Sequence, residues 1–191
     1  MKWRYRSAIP AQNGPAFLRF IACMLFVFTS PVVWAVVPKA YQTVAQQYGV
    51  PADVLYAIAL TESRQTLGPG IARPWPWTAN VQGKPYYFRS RQEMSAFLNN
   101  LLRQGNRKFD IGLMQISWRH HGHRFDSLDQ AIDPLINLQA GAAYLRYLTR
   151  KQGLEKAIGM YHTGEAGPVS RQQHYRRMVY SSLEKIRKGR A

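Results

Sequence analysis

The chain has little cysteine and little negative charge. Its single cysteine, Cys23, lies in an N-terminal segment that we predict to be removed, so the remainder has no thiol. That excludes disulfides, cysteine-ligated metal sites and thiol catalysis in the mature protein. Only ten acidic residues stand against 26 lysines and arginines, which gives a formal net charge of +16. This excess of positive charge favours an anionic partner. The alternative is a basic surface that serves only solubility, which would show the same net charge.

Long apolar runs are also scarce, and the clearest one, residues 20–28, follows a basic N-terminal stretch. Small residues then offer a cleavage site at Ala35. This order predicts a secretory signal peptide over residues 1–35 and a periplasmic domain over residues 36–191. An uncleaved membrane anchor is the alternative, although the apolar run is short for a span. The signal holds four of the 26 basic residues and none of the ten acidic ones, which leaves +12. Export favours an envelope polymer over nucleic acid as the anionic partner.

Helix signals cover most of the predicted domain. Proline starts, capping residues and apolar spacing predict helices over 38–48, 50–63, 90–104, 134–152, 154–162 and 170–188. Residues 65–88 are instead rich in glycine, proline and aromatic side chains, with a predicted hairpin around Gln82-Gly83. These aromatic rings either pack the segment down or stack on sugars. The fold class is therefore mainly α, a single helical domain with a small β-hairpin element between the second and third helices.

The helix over residues 50–63, VPADVLYAIALTES, ends in a carboxylate where an apolar residue is expected. Leu55, Ile58 and Ala59 mark its core-facing side, and Glu62 lies seven, four and three residues beyond them on the same stripe. Partial burial disfavours the charged form of a carboxyl group, which suits a general acid. The alternative is a glutamate that turns to solvent at the helix end beside Arg64.

Two further motifs follow in a fixed order. The first is DIGLMQIS over residues 110–117, which combines glycine, an amide and a thioether in one short segment. The second is AIGMYHTG over residues 157–164, at the end of a predicted helix. Each motif is weak by itself. A helix that ends in Glu-Ser, then Gly-Leu-Met-Gln-Ile, then a helix that ends in Tyr-x-x-Gly is a specific combination.

In this combination the chain resembles the SLT-type lytic transglycosylases of the lysozyme-like superfamily, over about residues 41–180. The nearest subgroup is the small exported one found with conjugation, secretion and pilus systems. The resemblance implies an α+β lysozyme-like fold, Glu62 as the single catalytic acid and no cofactor. It also implies a substrate-binding set and two structural matches, Asp133-Pro134 and Asn137. The substrate-binding set is Ser63, Gly112, Leu113, Met114, Gln115 and Tyr161, with the Tyr161 hydroxyl beside the Glu62 carboxyl.

The sequence departs from the family in two places. His162 stands where many relatives have asparagine, and 49 residues separate Glu62 from Gly112, a longer insert than the better-known members carry. The implied substrate is the peptidoglycan glycan strand. The implied partners are components of a conjugation, secretion or pilus apparatus, with no nucleic acid and with membrane contact only through the signal segment.

Two alternatives to a lytic transglycosylase stay open. Asp110 also resembles the second carboxylate of animal-type lysozymes, so a muramidase that uses Glu62 and Asp110 is possible if the two lie about 5–5.5 Å apart. Asp110 could equally serve to shape its hairpin. A non-catalytic cell-wall binding module is the other alternative, although such a module has no need to bury a carboxylate.

The histidines do not predict a metal site. His120, His121 and His123 are clustered, but neither cysteine nor an obvious carboxylate accompanies them. We therefore expect surface histidines and no metal. His162 and His174 are isolated, and helix packing or exposure accounts for them.

Overall fold

Helices make up most of this computed structural model, which describes residues 37–69 and 71–189. They are α1 (Lys39–Tyr48), α2 (Ala52–Glu62), α3 (Arg91–Arg103), α4 (Trp118–His121), α5 (Leu128–Ile132), α6 (Pro134–Gln152), α7 (Leu154–Thr163) and α8 (Val169–Arg187). None of the helices within these ranges is long and apolar enough to cross a membrane. The signal peptide predicted for residues 1–35 lies outside the described residues and stays a prediction.

The central helix is α2. It begins after Pro51, with Asp53 in its first turn, as the sequence predicted. Every residue from Val54 to Leu60 is buried, so the helix is apolar around its whole circumference and not only along the predicted stripe. It packs against α1 and α8, within an apolar cluster that also includes α6 and α7. The last residue of α2 is therefore held by closely packed neighbours.

Short strands form two antiparallel sheets in the described part of the chain. Strands β1 (Arg64–Gly68) and β2 (Ile71–Pro74) pair with each other. The other four are β3 (Thr78–Val81), β4 (Lys84–Tyr87), β5 (Phe109–Ile111) and β6 (Ile116–Ser117), in the order β4-β3-β5-β6. A smaller apolar cluster joins this second sheet to α3 and α5. The sheet places β5 and β6 next to the end of α2.

The predicted mainly helical fold is confirmed, and the described residues form more β-structure than the single predicted hairpin. The predicted hairpin is present as β3–β4, and its turn residues Gln82 and Gly83 both have positive φ, as a two-residue hairpin turn requires. The β1–β2 hairpin, strands β5 and β6, and the short helices α4 and α5 were not predicted as such. Elements of two to five residues are too short for a periodic apolar pattern to develop.

Aromatic side chains of the segment 65–88 pack on the protein itself. The Trp75 Nε1–H donates to the Phe88 carbonyl at 2.9 Å, and the rings of Tyr86 and Phe88 lie 4.8 and 5.2 Å from that of Phe97. The Tyr87 hydroxyl donates to the Arg64 carbonyl at 2.9 Å. Of the two readings of these aromatic rings, the contacts support packing.

Candidate active site

Glu62, the last residue of α2, lies at a cleft of about 500 Å³. Its side chain is only 10% exposed. The carboxyl Oε1 accepts a hydrogen bond from the Tyr175 hydroxyl of α8 at 2.6 Å. Burial, together with the nearby Glu62 charge, raises the pKa of Tyr175, so this hydroxyl stays protonated and donates. The carboxyl group is therefore held in one orientation at the boundary between core and cleft.

His162 is the second close neighbour of Glu62. Its Nδ1 lies 3.7 Å from Glu62 Oε1, which is longer than an ordinary hydrogen bond but within reach of an ion pair. The His162 ring stacks on the Tyr175 ring at 5.0 Å with an interplanar angle of 8°. Interaction with the Glu62 carboxylate raises the pKa of His162, whereas burial and the charge of Arg171 oppose the shift. Sequence reasoning assigned His162 no such role, because its neighbours Glu62 and Tyr175 lie on α2 and α8, which are distant from it in the chain.

Asp110 lines the same cleft from strand β5. It faces Ser117 across the β5–β6 pair and Asn80 across the β3–β5 pair. Burial raises the pKa of the Asp110 carboxyl and the Glu62 charge adds to this, although a hydrogen bond with Ser117 works against it. The two carboxyl groups thus line one cleft, and the role of Asp110 stays a prediction.

The side chain of Asn137 on α6 holds the turn between β5 and β6 through hydrogen bonds. This side chain is fully buried; its Oδ1 accepts from Met114 N–H at 2.9 Å, and its Nδ2 donates to the carbonyls of Ile111 and Ala131. Gly112 has φ +75°, and a Cβ there would lie 2.7 Å from Asn137 Cγ. Only glycine fits this position, which explains the glycine of the motif and supports the structural role predicted for Asn137.

Several residues predicted to bind substrate lie behind the cleft. Leu113 and Met114 are buried, and Ser63 is fully buried with its Oγ donating to the carbonyls of Ala59 and Leu113 at 2.9 Å. These side chains join the end of α2 to the β5–β6 turn. Gln115 does line the cleft, and its Nε2 donates to the Gly112 carbonyl at 2.8 Å. Direct substrate contact by any of them stays a prediction.

The Tyr161 hydroxyl lies close enough to Glu62 for the Glu62 charge to raise the pKa of Tyr161, but the hydrogen bond that it was predicted to donate goes to another group. Tyr161 is buried on α7 and lines the cleft, but its hydroxyl donates to the Met114 carbonyl at 3.1 Å. Tyr175 makes the contact with Glu62 instead. Both tyrosines occupy core-facing helix positions, and sequence spacing does not reveal which hydroxyl reaches the carboxyl group.

Other cleft residues were missed because they come from elements predicted as loops or core. The cleft is also lined by Asn80, Ile116, Ser117, His120, His121, Tyr144, Thr163 and Gly164. His121 packs against Tyr144 at 5.3 Å, and burial with the charge of Arg124 lowers the pKa of His121. Within the described residues, no group of three or more histidine, cysteine or acidic side chains is placed to hold a metal ion.

Comparison with protein-family models gave a match to the family described as Transglycosylase SLT domain, over residues 89–181, just under half of the chain. The match begins just before α3 and ends within α8, so it includes Asp110, the β5–β6 turn, Tyr161, His162 and Tyr175. Glu62 precedes the matched range in the chain, and strands β1–β4 lie between the two in sequence. Searches of curated proteins and of solved structures gave no significant match.

The SLT match and the architecture agree. A mainly helical domain with small antiparallel sheets is consistent with the α+β lysozyme-like fold of SLT domains. The family implies lytic transglycosylase activity on peptidoglycan. The fold thus brings Glu62, which lies outside the matched range, together with Tyr175 and His162 from within it.

Proposed function

We propose that the protein is a peptidoglycan lytic transglycosylase in which Glu62 acts first as the acid and then as the base. The observation that carries this proposal is the Glu62 carboxyl group itself: it is 10% exposed, oriented by Tyr175 and directed to the cleft of an SLT domain. A carboxyl group in these surroundings is suited to proton transfer, since a hydrogen bond fixes its orientation and the protein shields it from bulk water. The substrate is the bond between N-acetylmuramic acid and N-acetylglucosamine.

The reaction needs a single carboxyl group. Protonated Glu62 gives its proton to the glycosidic oxygen, and the bond from this oxygen to the anomeric carbon of N-acetylmuramic acid breaks. The neighbouring N-acetyl group stabilises the positive charge at that carbon. Glu62, now a carboxylate, takes the proton from the 6-hydroxyl of the same sugar, whose oxygen attacks to close a 1,6-anhydro ring. The proton is recovered and no water enters, in contrast to the two-carboxylate hydrolysis scheme.

The contacts of Glu62 support a division of roles between its two oxygens. In the described part of the chain, both the Tyr175 hydrogen bond and the close approach of His162 involve Oε1. Oε2 is then the atom available to substrate. The Tyr175 hydrogen bond strengthens as Glu62 gives up its proton, because a charged acceptor binds a hydroxyl more tightly. The bond therefore stabilises the transition state more than the ground state.

The cellular role is part of the same proposal. The predicted signal over residues 1–35 would deliver the enzyme to the periplasm, where its substrate lies. A small glycan-cutting domain there would open the cell wall locally for an envelope-spanning apparatus of the conjugation, secretion or pilus type. Its charge of +12 after signal removal suits an anionic polymer.

Mass spectrometry of the sugar products tests the proposal. Anhydro ends are one water lighter than reducing ends, so purified peptidoglycan treated with the enzyme should yield anhydro-muramyl products. Glu62→Gln should fold normally and abolish their release, because an amide cannot donate the proton. Glu155→Gln, at a mostly exposed glutamate paired with Arg176, is the matched control and should cleave normally. An active Glu62→Gln enzyme overturns the proposal, while wall binding without cleavage by the wild type indicates a binding module.

A muramidase is the second candidate, because Asp110 shares the cleft with Glu62. The proposed transglycosylase reaction uses Glu62 alone and gives Asp110 no chemical step. Asp110→Asn should therefore leave most transglycosylase activity intact. A hydrolase that depends on two carboxylates should lose nearly all activity and should release reducing ends.

A further inference from the structure

A second pocket beside Glu62 is not used by the proposed mechanism. It measures about 500 Å³ and shares Glu62 and His162 with the cleft. The rest of its lining is Thr61 and one face of α8, made up of Ser170, Arg171, His174, Tyr175 and Met178. We call it the α8 pocket. Because the two share Glu62 and His162, the α8 pocket adjoins the cleft at the Glu62 carboxyl group.

Arg171 brings a positive charge to the α8 pocket. Arg171 and His174 are both exposed at it, and Glu62 is the only carboxylate among the described residues that line it. Arg171 has no carboxylate partner within the described part of the chain. Its charge lies close enough to His162 to oppose protonation of that ring. Ser170 and Arg171 also occupy the first turn of the 19-residue α8, where the helix dipole adds positive potential. A free guanidinium in this setting is suited to a carboxylate.

The pocket also offers apolar surface beside Arg171. Met178 is 44% exposed, and the stacked rings of Tyr175 and His162 form the adjoining wall. A ligand that combines small apolar groups with carboxylates complements such a surface. The peptide stems of peptidoglycan have this composition, with alanine methyl groups and free carboxylates on a short chain.

We propose that the α8 pocket binds a peptide stem of the peptidoglycan through one of its carboxylates, with Arg171 as the principal contact. This inference rests on the proposed function, since it requires a glycan strand in the cleft at Glu62. It adds a substrate class: strands whose stems carry free carboxylates bind better than strands whose stems are neutral. Arg171 and His174 then act on substrate selection and take no part in proton transfer.

Binding to two forms of the wall tests this inference. Insoluble peptidoglycan is compared with the same material after carbodiimide coupling to methylamine, which converts the stem carboxylates into neutral amides of similar size. All proteins carry Glu62→Gln, so that the strands are not cut during the measurement. The parent protein should bind the amidated wall about two- to fivefold more weakly, the range expected for a solvent-exposed charge pair. Adding Arg171→Gln should lower binding to the unmodified wall and reduce the difference between the two forms.

Arg177→Gln is the matched control. Arg177 is exposed on the same helix, but it lies off the stripe formed by residues 171, 174, 175 and 178 and does not line the pocket. It should keep the full preference for the unmodified wall. Equal binding of both wall forms by the parent protein, or an unchanged preference after Arg171→Gln, overturns the inference.

Cleavage by the enzyme with Glu62 intact separates this inference from the proposed function. Failure to release anhydro products refutes the proposed function, whatever the binding data show. Anhydro products together with a preference that does not depend on Arg171 refute only the role of the α8 pocket.

Discussion

The hydrogen bond between Tyr175 and Glu62 should be a main determinant of turnover. Tyr175→Phe deletes one hydroxyl and keeps the ring that stacks on His162 at 5.0 Å. The lost bond is short, 2.6 Å, and its acceptor becomes charged as the glycosidic oxygen is protonated. Hydrogen bonds to charged groups contribute about 1.5–3 kcal/mol. If that energy is expressed in the transition state, kcat falls roughly tenfold to a hundredfold.

The same variant should lose turnover and keep its affinity for substrate. KM should change little, since the deleted hydroxyl faces Glu62 and not the substrate. The assay is release of anhydro-muramyl products, with substrate concentration varied.

Stability should be almost unaffected by Tyr175→Phe. The ring stays buried, and the freed carboxyl oxygen can reach water in the cleft, so a loss of about 1 kcal/mol at most is expected, or roughly 2–4 °C in Tm. Tyr180→Phe, at a 43% exposed position of the same helix, is the control and should match the wild type. Tyr161→Phe should lower stability, because its hydroxyl bonds the Met114 carbonyl. A Tyr175→Phe enzyme with wild-type kcat would refute this reasoning.

Two further predictions concern stability. Asn137→Ala removes a fully buried side chain with three hydrogen bonds and should lower the free energy of unfolding by about 3 kcal/mol or more in urea titrations; a loss below about 1 kcal/mol contradicts the anchoring role. His162→Asn tests the pair with Glu62. Because the pKa of His162 is raised on folding, its contribution is fully present below about pH 6.5 and is lost as pH rises through the folded value. The Tm difference between wild type and His162→Asn should therefore be largest near pH 6 and shrink towards pH 9, and a constant difference argues against the pair.

The sequence by itself determined the helices and the candidate acid. Local signals suffice for both, since proline, capping side chains and apolar spacing act within a few residues. Asp133, for example, accepts from the N–H groups of Leu135 and Ile136 just where the sequence predicted a helix start. Glu62 was predicted from its position on an apolar stripe, and its 10% exposed side chain agrees with that reasoning.

Only the tertiary structure decided what surrounds Glu62. Tyr175 lies 113 residues further along the chain, and its apolar spacing in α8 made it indistinguishable from a tyrosine that only packs. The same holds for the α8 pocket, which exists because α2, α7 and α8 pack so that Glu62, His162 and Arg171 meet. Periodicity reports which side of a helix is buried. Which hydroxyl, ring or cation reaches a given carboxyl group depends on how helices pack against one another, and short-range sequence patterns carry no such information.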